Sequence, residues 1–308
     1  MAEPKTAKPP AQSLASMFQQ SRAQSDYDVA VDGLPPSLIE PTRSSHKGSV
    51  PDLSKLAKVW ELIGPGGAGK TVLARWLGGG LAERNAMDKI ILAALDPANR
   101  TLTQFFDSVA QPPSSDTVQT VAWLRDLLQF ISAHKANAVL DYGGNNVAKV
   151  RMVETTPTIA DTMEQEGVAL IAAYVLTPRV DDLAPLVTFE AKGFRPRATA
   201  LILNMGRAET PASFDAVRRQ ASYKAALDRG AVELWMPALE PQSLALEIEQ
   251  QRLQFHQARD GIVPDGRKPS FISLIERVMI RQWMERMAQE FSSLLNPGRR
   301  SAHVGFAG

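Results

Sequence analysis

Cysteine is absent from the 308 residues, which excludes disulfides, thiolate metal sites and a cysteine nucleophile. Histidine occurs only four times, scattered along the chain, so a histidine-built metal centre is not expected. No apolar run approaches the ~20 residues of a membrane-spanning helix. Charge excess of either sign is also missing, with 34 Lys and Arg against 33 Asp and Glu. Contact with nucleic acid therefore has to come from a local basic patch and not from the overall balance. The opening Met1-Ala2-Glu3-Pro4-Lys5 lacks the apolar core of a signal peptide. A cytoplasmic protein is the expectation.

What is present is a phosphate-binding loop. Gly64-Pro65-Gly66-Gly67-Ala68-Gly69-Lys70-Thr71 has the form G-x-x-x-x-G-K-[ST]. It follows the apolar run Val59-Trp60-Glu61-Leu62-Ile63 and opens into Val72-Leu73-Ala74-Arg75-Trp76-Leu77, the strand-before, helix-after context the motif needs. Glycines let backbone N–H groups curl round a phosphate chain, and the helix N-terminus adds partial positive charge. Lys70 is expected to reach the β- and γ-phosphates, and the Thr71 hydroxyl to ligate Mg²⁺. Further on, Ala138-Val139-Leu140-Asp141 runs into Tyr142-Gly143-Gly144. An apolar strand ending in Asp and followed by glycines reads as a Walker B segment, its carboxylate holding Mg²⁺ through water.

Residues 1–50 are rich in Pro, Ser, Gln and Ala and read as a disordered segment. Leu14-Ala15-Ser16-Met17-Phe18 reads first as part of a solvated tail, with a short helix that docks on a partner as the alternative. Residues 51–265 read as one ATPase domain, 266–295 as a C-terminal amphipathic helix and 296–308 as a flexible tail. Within the domain, further apolar runs at 89–95, 168–175, 198–204 and 231–236 alternate with helix-period stretches at 118–131, 158–166, 181–191 and 212–228. Val118, Val121, Leu124, Leu127, Leu128 and Ile131 make the apolar face of the first of these. The pattern predicts an α/β fold, a mostly parallel sheet with helices on both faces. Right-handed crossovers put Asp96, Asp141, Asn204 and Pro237 on one sheet edge with the P-loop. In the last helix, Ile272, Ile275, Met279, Trp283, Met287, Phe291 and Leu294 form a stripe, with Arg277, Arg281 and Arg286 off it. That stripe fits packing on the domain best, ahead of a partner helix or a membrane-surface helix.

The order of motifs resembles the ParA/MinD-like P-loop ATPases, over about residues 57–260. Pro65 to Thr71 aligns with that family's loop, Asp96-Pro97-Ala98-Asn99 with its D-P-x-x-N segment, and Asp141 with its Walker B aspartate. The resemblance implies that Asp96 positions the attacking water, so that Lys70 and Asp96 carry catalysis. It implies nucleotide contacts from Gly64, Gly66, Gly67, Ala68, Gly69, Lys70, Thr71 and Val72. Asn204 and Pro237-Ala238 match the places where the family touches adenine. ATP and Mg²⁺, the latter held by Thr71 and Asp141, are the implied cofactors. One departure stands out: the family's signature lysine, which reaches across an ATP-sandwich dimer, is replaced by Pro65. Arg100 and Arg151 are the candidate replacement cations, and slow intrinsic hydrolysis is expected.

The leading expectation is a ParA-like switch in plasmid partition, stability or conjugative mobilisation. It would dimerise with ATP, bind non-specific DNA or a protein partner that stimulates hydrolysis, and release on turnover. Arg218, Arg219, Arg277 and Arg281 are candidates for a basic surface, against the plainer reading of solvated helix faces. The alternatives are a MinD-like positioning ATPase bound to membrane or protein, or a low-turnover nucleotide-binding adaptor. Membrane is less favoured because Glu276, Glu285 and Glu290 dilute the arginines. A metabolic P-loop kinase ranks last, since no acceptor-substrate signature stands out.

Overall fold

The apolar runs become six strands of one sheet. The computed structural model describes residues 13–23, 51–84, 90–96, 101–144, 147–262 and 272–295. In chain order, α1 is Leu14–Ala23, β1 Ala57–Ile63, α2 Lys70–Arg84, β2 Ile90–Ala94, α3 Thr117–His134 and β3 Asn137–Asp141. Then come α4 (Val147–Thr155), α5 (Ile159–Gln165), β4 (Val168–Leu176), α6 (Ala184–Ala191) and β5 (Ala198–Asn204). The short α7 (Asp215–Arg218), α8 (Ala221–Asp228), β6 (Val232–Met236), α9 (Gln242–Gln250) and α10 (Phe255–Asp260) follow. The described chain closes with α11 (Leu274–Glu290) and α12 (Ser292–Leu295).

The sheet order is β2-β3-β1-β4-β5-β6, and every pairing is parallel. This is an α/β fold, a parallel sheet with helices on both faces and the P-loop between its first strand and the helix that follows. Because β1, β3 and β4 are covered on both faces, they read as continuous apolar runs and not as alternating ones. One face of the sheet packs on α1 and on α3 to α6 with α8, through residues such as Val59, Trp123, Leu127, Phe189 and Tyr223. The other packs on α2, α9, α10 and α11, through Trp60, Leu73, Ile248, Phe255 and Trp283. With β1 at the centre of the sheet, the P-loop at its C-terminal end lies between the ends of β3 and β4. The order of strands reverses here, where open α/β sheets bind ligands.

Three expectations need correction. Residues 212–228 do not form one helix. A 3-10 turn over Pro211–Phe214 leads into α7, and the chain turns extended at Gln220 (φ −62°, ψ 141°) before α8 begins. In α3, Leu124, Leu127, Leu128 and Ile131 are buried and Val121 packs partly on the core, as spaced, but Val118 is two-thirds exposed and Trp123 is buried as well. In the C-terminal helix Ser273 supplies the N-cap, its side chain accepting from the Glu276 N–H while the Glu276 carboxylate accepts from the Ser273 N–H. The stripe there uses Ile280 where Ile275 and Met279 were expected. Leu274 is 76% exposed, Ile275 71%, Val278 40% and Met279 37%. Trp283 fixes the rotation, because its indole N–H donates to the Pro237 carbonyl at 2.8 Å.

Within the segment expected to be disordered, α1 is ordered on its own domain. Phe18 is buried, its ring centroid 5.6 Å from that of Trp123 and 5.4 Å from that of Phe130. Arg22 pairs with Asp126 at 2.5 Å, and the Ser13 and Ser108 hydroxyls are 2.6 Å apart. The surface this helix docks on belongs to the same chain. Residues 1–12, 24–50 and 296–308 lie outside the described residues.

Candidate nucleotide site

The P-loop residues 64–69 connect β1 to α2, and Lys70 is the first residue of that helix. Its ammonium donates to the carbonyls of Gly64 at 2.8 Å and Pro65 at 2.7 Å, so the cation is held inside the loop's curve. Burial pulls its pKa below the usual lysine value, while the charges of Asp141 and Asp182 oppose that shift. Asp182 was not singled out by the sequence. It is buried in the 3-10 turn Val180–Leu183 that follows β4, accepting from the Thr177 N–H at 2.7 Å and the Thr177 hydroxyl at 2.6 Å.

Asp141 ends β3 with its carboxylate turned to the P-loop. The Thr71 hydroxyl donates to Asp141 Oδ2 at 2.8 Å. Burial pushes the Asp141 carboxyl up to about 6. The Thr71 hydrogen bond and the Lys70 charge pull it down, and Asp96 adds to the rise. Two oxygen donors in contact, one an acid that is poorly solvated, make a hard donor set. Among the described residues no group of three His, Cys, Asp or Glu surrounds a common point. That pattern fits Mg²⁺, which is bound by one or two carboxylates together with substrate phosphates and water. Thr71 and Asp141 would hold it.

Two close approaches explain why glycine is required. Gly69 sits at φ +99°, and a Cβ there would lie 2.4 Å from the Asn204 amide nitrogen. A Cβ on Gly143 would lie 2.6 Å from the Cβ of Asp96. The loop leaving β3 is thus pressed against the end of β2. Gly144 reaches the P-loop itself, since a Cβ on it would stand 3.3 Å from the Gly66 nitrogen. Asp96, Asp141, Gly143, Gly144, Gly66, Lys70 and Thr71 are one cluster, as the strand order requires.

Asn204 is buried, its Nδ2 donating to the Ala68 carbonyl at 2.6 Å and its Oδ1 accepting from the Gly206 N–H at 2.9 Å. In this structure it latches the end of β5 to the P-loop. Met236, paired with Asn204 in the sheet, leads to Pro237 and Ala238 at the same edge. Arg151, a candidate replacement cation, lies exposed on α4. Arg100, the other, and residues 97–99 of the D-P-x-x-N segment are outside the described residues. Of the four arginines proposed as a basic surface, two have structural partners. Arg218 bonds Glu233 at 3.0 Å. Arg277 donates to the Ile272 carbonyl and lies against Gly261, where a Cβ would come within 2.2 Å of its guanidinium. Arg219 and Arg281 are exposed.

Behind the site is a buried ion pair that the sequence did not disclose. Glu61 on β1 and Lys149 on α4 are both fully buried, Lys149 Nζ donating to Glu61 Oε1 at 2.6 Å. The Tyr142 hydroxyl donates to the same oxygen at 3.0 Å, and the Lys149 ammonium stands 4.0 Å over the Phe194 ring. One carboxylate therefore holds both flanks of residues 143–146, Tyr142 before them and Lys149 after.

No protein-family model matches this sequence, and no curated protein matches it. Among solved structures the chain is similar to FtsY from Mycoplasma mycoides, at 14% identity and a TM-score of 0.41, over 61% of this chain and 62% of that one. It is also similar to the MinD cell division protein of Aquifex aeolicus, at 14% identity and a TM-score of 0.41, over 74% of this chain and 97% of that one.

Proposed function

We propose that the protein is a P-loop ATPase that works as a slow nucleotide-dependent switch, of the ParA-like kind that the order of motifs resembles. The observation that carries this reading is the approach of Gly144 to the P-loop, so close that a Cβ on Gly144 would stand 3.3 Å from the Gly66 nitrogen. It puts the loop after Asp141 against the part of the P-loop that would face the terminal phosphate. Gain or loss of that phosphate then acts directly on Gly143 and Gly144, the two-state element a switch requires.

The chain's own residues divide the work. Lys70 neutralises phosphate charge, and Thr71 with Asp141 orients the ion that would polarise the terminal phosphate and balance its charge. Asp96, beside Gly143, would orient an attacking water. Pro65 supplies neither charge nor N–H, so cross-dimer activation through the loop itself is absent and intrinsic turnover is slow. Dimerisation with ATP, and plasmid partition or mobilisation as the setting, belong to the same proposal. Non-specific DNA remains its candidate partner, with Arg219 and Arg281 the arginines left exposed for it.

The test is binding to duplex DNA at several salt concentrations with ATP, ADP, GTP and no nucleotide, alongside sedimentation to read the oligomeric state. ATP-dependent dimers whose DNA binding weakens steeply with salt are expected. Monomers under every condition, with no DNA bound, would reject the switch as stated. One observation favours a second reading, a positioning ATPase on a membrane or protein surface. The exposed Leu274, Ile275, Val278 and Met279 share one side of α11, with Arg277 and Arg281 nearby. Among the described residues no helix is long and apolar enough to cross a membrane, so such binding would be peripheral. Nucleotide-dependent co-sedimentation with anionic vesicles would select this reading.

A further inference from the structure

The proposed site is short of positive charge. Lys70 is the cation within the P-loop, and its ammonium is shared between two loop carbonyls. Asp141 and Asp182 both act on it, and Asp96 stands behind Asp141. A triphosphate adds three to four negative charges to this set, of which a divalent ion offsets two. At the loop's second position, where a charge would help most, the chain has Pro65.

Arg207 stands beside this loop. It ends the 3-10 turn Met205–Arg207 that follows β5. That turn is fixed to the P-loop by Asn204, which bonds the Ala68 carbonyl with one side-chain atom and the Gly206 N–H with the other. The guanidinium Nη2 lies 3.9 Å from the point a Cβ on Gly67 would occupy. Gly67 has φ +73° and no side chain to fill that space. Arg207 is exposed, and among the described residues no carboxylate is paired with it. A surface arginine without a partner is common. One carried on a turn latched to a P-loop and overhanging a glycine of that loop has a specific anion within its reach.

We propose that Arg207 is a phosphate-binding residue of this site, its guanidinium engaging the phosphate chain of a bound nucleoside triphosphate from within the same chain. It stands in for the charge that Pro65 cannot supply. The inference rests on the triphosphate reading above and deepens it. The turn places the cation without help from a second subunit, so its contribution is present in the monomer. Guanidinium suits the task because its planar fork matches two phosphate oxygens at once.

The experiment is titration of fluorescent ATP, ADP and AMP into the full chain with Mg²⁺, for wild type, Arg207→Ala, Arg207→Lys and Lys70→Ala. Arg207→Ala should weaken ATP binding roughly ten- to a hundredfold, the range of one charge-assisted contact, and weaken AMP much less. Arg207→Lys should recover part of the loss, because charge returns without the fork. Thermal melting of Arg207→Ala at the wild-type temperature is the folding control, as the side chain is exposed. Unchanged ATP affinity in Arg207→Ala, with Lys70→Ala defective, would overturn this inference and leave the triphosphate reading standing. An equal loss for AMP and ATP would put the guanidinium on sugar or base and overturn it too. A wild type that binds no triphosphate would remove both together.

Discussion

Replacing Asp141 by asparagine should make the metal-free protein more stable at neutral pH, although it removes a residue the proposed site depends on. Asp141 is nearly inaccessible to solvent, and burial lifts its carboxyl from 3.8 to about 6. The folded state therefore binds a proton more tightly than the unfolded chain. Stability from this group is fully present below pH 3.8 and is lost as pH rises through about 6. A shift of this size corresponds to about 3 kcal/mol at one kcal-scale step of 1.36 per pH unit. Asparagine keeps the acceptor oxygen for the Thr71 hydroxyl and carries no charge to desolvate. It also relieves the repulsion with Asp96. Urea unfolding without nucleotide or divalent ion, at pH 5 and pH 7.5, reads the effect directly. The variant should gain on wild type by about 3 kcal/mol at pH 7.5 and by roughly half of that at pH 5. Equal stability at pH 7.5, or a variant weaker than wild type there, would refute the reasoning. Added Mg²⁺ with ATP should reverse the order, since the carboxylate then has a cation to meet.

Two further outcomes follow from the packing. Lys149→Met leaves the Glu61 carboxylate buried without its cation and should cost roughly 3–5 kcal/mol in urea unfolding; adding Glu61→Met should recover most of that loss, and a double variant as weak as the single would contradict the pairing argument. Phe18→Ala removes the ring that seats α1 between Trp123 and Phe130. Hydrogen exchange should then become fast across residues 14–23 while β1, β3 and β4 stay protected, and unchanged protection of α1 would show that other contacts hold it.

The sheet was legible because its central strands are covered on both faces, which leaves unbroken runs of apolar residues at 168–176 and 200–203. The P-loop was legible because its chemistry is local: glycines, Lys70 and Thr71 all act within eight consecutive positions. What the sequence concealed is long-range. Glu61 is a lone acid in an apolar run, and nothing nearby in sequence announces that Lys149, on α4, meets it. Arg207 looks like one more loop arginine until the fold brings it over Gly67. Helix spacing was also an incomplete guide. The C-terminal stripe holds at Trp283, Met287, Phe291 and Leu294 but uses Ile280 in place of Ile275 and Met279, and the 212–228 stretch broke at Gln220, where the chain adopts extended geometry that periodicity does not register. The N-terminal segment reads as solvated from its composition, yet Phe18 and Ala15 find an apolar surface on α3 that composition does not show.

The measurement that bears most directly on the account is calorimetric titration of ATP with Mg²⁺ into the full-length chain, beside Lys70→Ala. Saturable binding by wild type, lost in Lys70→Ala and weakened when Mg²⁺ is chelated, is the predicted result. Failure of the wild type to bind, or equal binding by Lys70→Ala, would contradict the claim that this loop is a nucleoside triphosphate site.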